Sequence, residues 1–312
     1  VDRYLQPFLA GGNFSGAILI ACRGNVLLRR GYGMANLELN VPNTSHTRFH
    51  IASLSKPFTA TAILMLEASG RLHTSDPLAR FVPDFPNGDR ISLQQLLTHT
   101  SGVADINDAP FYEAESHRRH TPESLVRLIR GLPPQFAPGE RYAYSNSNYQ
   151  LLAYVIEQAS GTEYGEFLRR NIFDPLGMGE SGHDGLAGAL VPNRASGYVP
   201  FGPRGLENAP ALDWSVKTGN GSLYSTVEDL FKFERALSTG VLLPPAAREK
   251  ILGGGRGNTY GWFGGERFGR KYMSASGRSP GFTSSWQRYP SDDVCVIVLS
   301  NSYSTVAQAP IA

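Results

Sequence analysis

The chain has 312 residues, of which 41% are hydrophobic and 18% charged, and its net charge is +2. That is the composition of a globular protein of one large or two modest domains, and it excludes the disordered and fibrous classes. Near-balanced acids and bases without a basic block argue against a nucleic-acid partner, and no apolar run approaches the roughly 20 residues of a membrane-spanning helix.

The two cysteines, Cys22 and Cys295, lie in apolar, strand-like runs and are expected as buried thiols, not as a disulfide framework. No zinc-ligand spacing occurs. His117 and His120 could clasp a metal, but a solvated polar helix face is the expected reading of residues 113–120. No basic-then-apolar leader opens the sequence, which leaves open a removed signal or none.

Residues 3–10 read as a short amphipathic helix. Residues 16–22 read as a buried strand, and 25–30 as its hairpin partner after Arg23-Gly24. A helix starting near Ser53 runs through the apolar stretch Ile63-Leu64-Met65-Leu66. Residues 76–86 read as a proline-containing loop. Capped helices are expected at 92–99 and 121–131, the second with Pro122 at its first position. Further helices are expected at 148–161 and 163–172. Residues 183–221 have no periodicity and are expected to be a loop-rich region lining a site. Ser225-Thr226-Val227-Glu228 reads as a capping box opening a helix to 238. Strands are expected at 260–263, 270–274, 281–289 and 294–299. Strands, a helical block and strands again predict one sheet built from both chain ends with an inserted helical domain. The expected division is 1–60 plus 215–312 for the sheet domain and 61–214 for the helical one, with a site in the cleft between them.

Ser53 and Lys56 stand three apart at the head of the apolar helix, so they share one face, one turn apart. A lysine ammonium lowers the cost of a serine alkoxide; a lysine neutralised by burial takes the proton itself. The helix N-terminus adds N–H groups where an oxyanion would be held. Ser-x-x-Lys also occurs by chance, so its context decides. The chain has only five lysines against twenty-four arginines, and this one lies in surroundings too apolar for an ordinary surface lysine.

A second cluster is Tyr142-Ala143-Tyr144-Ser145-Asn146-Ser147-Asn148. It can be read as a helix cap, with Ser147 or Asn146 capping. It can also be read as a Tyr-x-Asn pair: a tyrosine whose pKa a nearby ammonium lowers could take a proton from serine, and an asparagine amide could hold substrate or the lysine.

Ser53-Leu54-Ser55-Lys56 with Tyr144-Ser145-Asn146 resembles the penicillin-recognising serine hydrolases. The nearest group is that of class C β-lactamases, D-alanyl-D-alanine carboxypeptidases, D-aminopeptidases and β-lactamase-like esterases. Leu96-Leu97-Thr98-His99-Thr100-Ser101-Gly102, Phe136-Ala137-Pro138-Gly139-Glu140, Ile172-Phe173-Asp174-Pro175-Leu176-Gly177-Met178 and Ser225-Thr226-Val227-Glu228-Asp229-Leu230 are similar to the same group, in order, between about residues 15 and 301. The resemblance implies an α+β fold, an antiparallel sheet flanked by helices with a helical domain beside it. It implies catalysis by Ser53, Lys56 and Tyr144, substrate binding by Asn146, Ser276, Gly277 and Arg278, and an oxyanion hole of the Ser53 and Arg278 N–H groups. No cofactor or metal is implied.

The family's third motif is Lys or His, a variable residue, then Gly. Here that cation position falls on Ala275, a departure that favours uncharged esters over β-lactams and D-alanyl peptides; restoration of the charge by Arg278, three residues on, is the open alternative. Expected substrates are a carboxylic ester, a β-lactam or a D-residue peptide. The alternative is a slowly deacylating or non-catalytic penicillin-binding sensor. The family is often periplasmic or secreted; a cytoplasmic location stays open, as does the oligomeric state. A further C-terminal domain beyond this sequence is a further expectation. Gly277-Arg278-Ser279-Pro280-Gly281 mimics the Gly-x-Ser-x-Gly elbow, but Pro280 has no N–H for an oxyanion hole and no histidine follows Ser279.

Overall fold

The computed structural model describes residues 2–11, 13–185, 189–202, 205–252 and 257–303. Its main sheet has seven antiparallel strands: β1 (Gly16–Cys22), β2 (Asn25–Tyr32), β3 (Gly257–Thr259), β4 (Trp262–Arg267), β5 (Arg270–Ser279), β6 (Phe282–Tyr289) and β7 (Val294–Ser300). Their spatial order is β3-β4-β5-β6-β7-β1-β2. The two chain ends meet where β1 pairs with β7, from Gly16↔Ser300 to Cys22↔Val294. The fold is therefore α+β, with its main sheet built from both ends of the chain.

Strand alternation sends the two sheet faces into different cores. Ala17, Leu19, Ala21, Trp286, Ile297 and Leu299 face the large core, which includes the central helix Ser55–Ala68 and the helix Val227–Thr239. Phe58 of the first helix stacks on Phe233 of the second at 4.0 Å. Ile18 and Val298 face the other way, against Leu5 of the N-terminal helix Asp2–Ala10. Cys295 pairs with Ala21 on one face and Cys22 with Val294 on the other, so the thiols diverge and both are free. Cys295 is buried as expected, whereas Cys22 is only half-buried.

Several elements differ from their sequence-based bounds. The long strand β5 runs to Ser279, because Met273, Ala275, Gly277 and Ser279 alternate inward in a way their small side chains conceal. Tyr260 and Gly261 form a positive-φ turn, and the strand starts only at Trp262. Ser225 ends the short strand Leu223–Ser225, so Thr226 caps the next helix by accepting from Asp229 N. The helix expected from 148 is Asn146–Ser160; neither Asn146 nor Ser147 caps it, and Ser147 Oγ instead accepts from Ile106 N at 2.8 Å. The region 183–221 holds a hairpin of Tyr198–Pro200 with Leu206–Asn208 and a 3-10 turn, Trp214–Lys217. His120 is buried rather than solvated, with Nδ1 on Ser124 Oγ and Nε2 on the Glu115 carbonyl. Among the described residues no helix is long and apolar enough to cross a membrane.

Candidate active site

The central helix is buried on almost every side from Ser55 to Leu66, which fixes whatever its first turn carries. Ser53 lies just before it, in a 3-10 turn, Ala52–Leu54. Ala52 has a φ of 49°, a left-handed conformation that a residue with a Cβ adopts at a cost of roughly 1–2 kcal/mol. The turn is tied down on both sides: Ile51 N donates to Leu223 O at 2.9 Å, and Ser284 Oγ to Ile51 O at 2.7 Å. Strand β5 then closes against it. A Cβ on Gly277 would stand 2.3 Å from Ile51 O and 2.8 Å from Ser53 N, so only glycine lets this strand edge reach the Ser53 backbone.

Lys56 is 2% exposed, and its Nζ has three partners: Ser53 Oγ, Asn146 Oδ1 and Asn220 O, each at 3.0 Å. Burial lowers its pKa to about 7, against the opposing pull of the Asp105 carboxylate. The partners then dictate the geometry of the neutral amine. Asn146 Oδ1 and Asn220 O can only accept, so they take its two hydrogens. The remaining lone pair faces the Ser53 hydroxyl. The Asn146 amide is itself oriented, because its Nδ2 donates to Asp105 Oδ2 at 2.9 Å. Asn220 reaches Lys56 because the preceding Gly219, at φ 84°, crosses the helix Asn146–Ser160 where a Cβ would meet Tyr149 O at 2.2 Å.

Tyr144 OH lies 3.1 Å from Ser53 Oγ, and its ring centre 4.9 Å from Lys56 Nζ. Its pKa is not lowered as the sequence led one to expect. Burial of the hydroxyl pushes it up to about 12, partly offset by the hydrogen bond with Ser53. Desolvation of a phenolate outweighs attraction to a lysine that is itself half neutral at pH 7. Tyr144 thus stands as a phenol, able to donate to Ser53 Oγ. His99 stacks on its ring at 4.5 Å. Burial, then the Lys56 charge, holds the imidazole pKa at about 3, and its Nδ1 accepts from Ser145 N at 3.2 Å, anchoring the Tyr144 segment.

Ser53, Tyr144, Asn146, Ser276, Gly277 and Arg278 line one cleft of about 290 Å³, together with Asn107, Lys217 and Asn220. Lys56 joins this cleft through its contacts with Ser53, Asn146 and Asn220. All the candidate residues from the sequence except Ala275 therefore meet here; Ala275 is 1% exposed and packs in the large core. Arg278 is exposed, with its guanidinium 5.0 Å from the centre of the Tyr303 ring. A larger hollow of about 930 Å³, lined by Asp184, Arg194 and Trp214, lies elsewhere; the smaller cleft is singled out by its chemistry, not its size. Asp105, His99, Asn220 and Lys217 were not among the sequence candidates.

The family model described as Beta-lactamase matches residues 1–311. PbpX of Bacillus subtilis (strain 168) is 34% identical over 304 residues, covering 96% of this chain and 74% of that protein. Penicillin-binding protein 4* of the same organism is 33% identical over 309 residues, covering 92% and 68%. A penicillin binding protein from Bacillus halodurans superposes with a TM-score of 0.86 at 28% identity, covering 96% of this chain and 95% of that one. A D-stereospecific amidohydrolase from Streptomyces sp. superposes at 0.82 and 25% identity, covering 97% and 94%.

Proposed function

The chain belongs to the beta-lactamase family, and on that premise we propose that it is a serine hydrolase working through an acyl-enzyme on Ser53. The observation that carries this reading is the Lys56 arrangement: its Nζ lies 3.0 Å from Ser53 Oγ and from two acceptor-only oxygens, Asn146 Oδ1 and Asn220 O, which in the neutral amine take its hydrogens and leave the lone pair to the Ser53 hydroxyl.

Neutral Lys56 takes the Ser53 proton as Oγ bonds to the substrate carbonyl carbon, and the carbonyl π electrons move onto oxygen. The N–H groups of Ser53 and Arg278 hold that oxyanion. Collapse breaks the bond to the leaving group. The proton passes from Lys56 through the Tyr144 phenol, which re-forms its O–H, to the departing atom. Water then attacks the acyl-enzyme by the same route in reverse. Asn146 holds the amine in register, and the edge Ser276-Gly277-Arg278 takes the acyl portion. The substrates that fit are a carboxylic ester, a β-lactam or a peptide with a D-residue.

A second reading, a penicillin-binding sensor that acylates but deacylates slowly, is favoured by one feature of the resemblance: Ala275 stands at the position where the resembled motif has a cation. Intact-mass measurement after mixing with 4-nitrophenyl butyrate, a fluorescent penicillin and a fluorophosphonate separates the two. Rapid ester turnover without a lasting adduct supports the hydrolase. A lasting penicillin adduct with one burst of product supports the sensor. Labelling that survives Ser53→Ala removes Ser53 from both.

A further inference from the structure

The cleft holds a second ammonium that the acyl-transfer chemistry does not use. Lys217 ends the 3-10 turn Trp214–Lys217, on the same loop as Asn220. Its carbonyl accepts from Asn220 N at 3.1 Å and Gly221 N at 2.8 Å. The loop that fixes Lys56 through the Asn220 carbonyl therefore also fixes where Lys217 stands. The Lys217 side chain is half-buried, lies along bare Gly221 and lines the cleft with Asn107, Ser53 and Ser276.

Its Nζ has one hydrogen-bond partner among the described residues. An ammonium has three donors, and the described contacts supply one acceptor, Tyr112 OH, at 3.3 Å. No carboxylate among the described residues lies within 4.0 Å of it; the field of Asp105 reaches it, but that carboxylate is engaged by Asn146 Nδ2 and Asn107 N. Meanwhile β5 offers no inward cation at Ala275, which is sealed in the core, and the guanidinium of Arg278, at the cleft rim, is engaged over the Tyr303 ring.

We infer that Lys217 is the anion-binding group of this cleft, and that it selects substrates bearing a carboxylate over neutral ones of the same size. This rests on the serine-hydrolase reading of the site. It moves the cation from the sheet to the opposite, loop-and-helix wall, beside Asn107 and Tyr112. Burial, then the Lys56 charge, lowers the Lys217 pKa to about 8, so most of it is protonated at pH 7. A pre-placed cation costs little further ordering when a carboxylate arrives.

The test compares two esters with the same leaving group, mono-4-nitrophenyl glutarate and 4-nitrophenyl valerate. Wild type should favour the glutarate ester. Lys217→Met should cut the ratio of kcat/KM values, glutarate over valerate, at least tenfold and mainly through KM, while Lys217→Arg keeps it within about threefold of wild type. A wild-type enzyme that hydrolyses valerate but shows no preference, or a ratio unmoved in Lys217→Met, overturns the assignment and leaves the hydrolase reading standing. If neither ester turns over, the hydrolase reading falls. The cation is then read directly in the Ser53→Ala background by calorimetry with glutarate: tenfold weaker binding on adding Lys217→Met supports the assignment, and equal affinity overturns it.

Discussion

The two walls of the Ser53 cleft are built on opposite principles. The helical wall is a chain of charge and hydrogen bonds, running Asp105–Asn146–Lys56–Ser53–Tyr144, in which each polar group sets the orientation of the next. The sheet wall is a backbone edge with small side chains, pressed so close that a single methyl group on Gly277 would collide with it. In the proposed mechanism, side-chain chemistry is placed on the first wall, and shape and a backbone oxyanion donor on the second. Substitutions in that hydrogen-bonded chain should therefore move kcat and its pH dependence, and those on the sheet wall should move binding and folding.

The largest expected effect is on the helical wall. Lys56→Met removes the base while keeping volume, and kcat should fall by about 1000-fold or more. Stability should move the other way. Native Lys56 has its pKa depressed from 10.5 to about 7, so the unfolded chain binds more protons between those values. Wild-type stability should then rise with pH across that window and be lowest below it. The cost at neutral pH is on the order of 5 kcal/mol, offset in part by its three hydrogen bonds. Lys56→Met should melt at pH 7 no lower than wild type and lose the rise. A variant that melts well below wild type would mean that the lysine is structural.

Gly277→Ala is the matching test of the sheet wall. Its Cβ would meet Ile51 O at 2.3 Å and Ser284 Oγ at 2.5 Å, and the backbone cannot give without moving Ser53. Destabilisation of about 1–3 kcal/mol is expected, with kcat/KM down by roughly 100-fold if Ser53 N shifts from the oxyanion position. Denaturant unfolding and steady-state kinetics read the two halves separately.

These walls were not equally legible in the sequence. Ser53 and Lys56 showed because helical periodicity makes i and i+3 neighbours, and Tyr144 and Asn146 because a polar cluster opened an apolar helix. Asn220 was invisible: it contributes a carbonyl, which every residue has, and only the Gly219 crossing brings it to Lys56. Asp105 acts through Asn146 across 41 positions, with no local pattern to mark it. Lys217 did carry a signal, the scarcity of lysine that singled out Lys56, in a loop already expected to line a site. In the fold, the β1–β2 hairpin and the central helix were legible from apolar runs. The far half of β5 was not, because Ser, Ala, Ser and Gly alternate burial without alternating hydropathy.

Asp105→Asn should have an intermediate effect. The amide keeps a contact to Asn146 but removes the charge that raises the Lys56 pKa. The acid limb of kcat/KM, set by Lys56 near pH 7, should shift to lower pH. kcat at the plateau should fall by roughly tenfold, because asparagine facing asparagine no longer fixes which way the Asn146 amide points. A limb that stays in place would show that Lys56 does not govern it.

The smallest effect is expected from Arg278→Gln, and it separates the strand's backbone from its side chain. The guanidinium is exposed and lies over Tyr303, an arrangement worth about 0.5–1 kcal/mol. The proposed oxyanion donor is the Arg278 N–H, which glutamine keeps. A loss of about threefold in kcat/KM on a neutral ester is therefore expected, carried by KM with kcat nearly intact. If kcat instead fell 30-fold or more, the guanidinium would be stabilising charge in the transition state. The sheet wall would then contribute side-chain chemistry as well as shape and a backbone donor, and the division between the two walls would not hold.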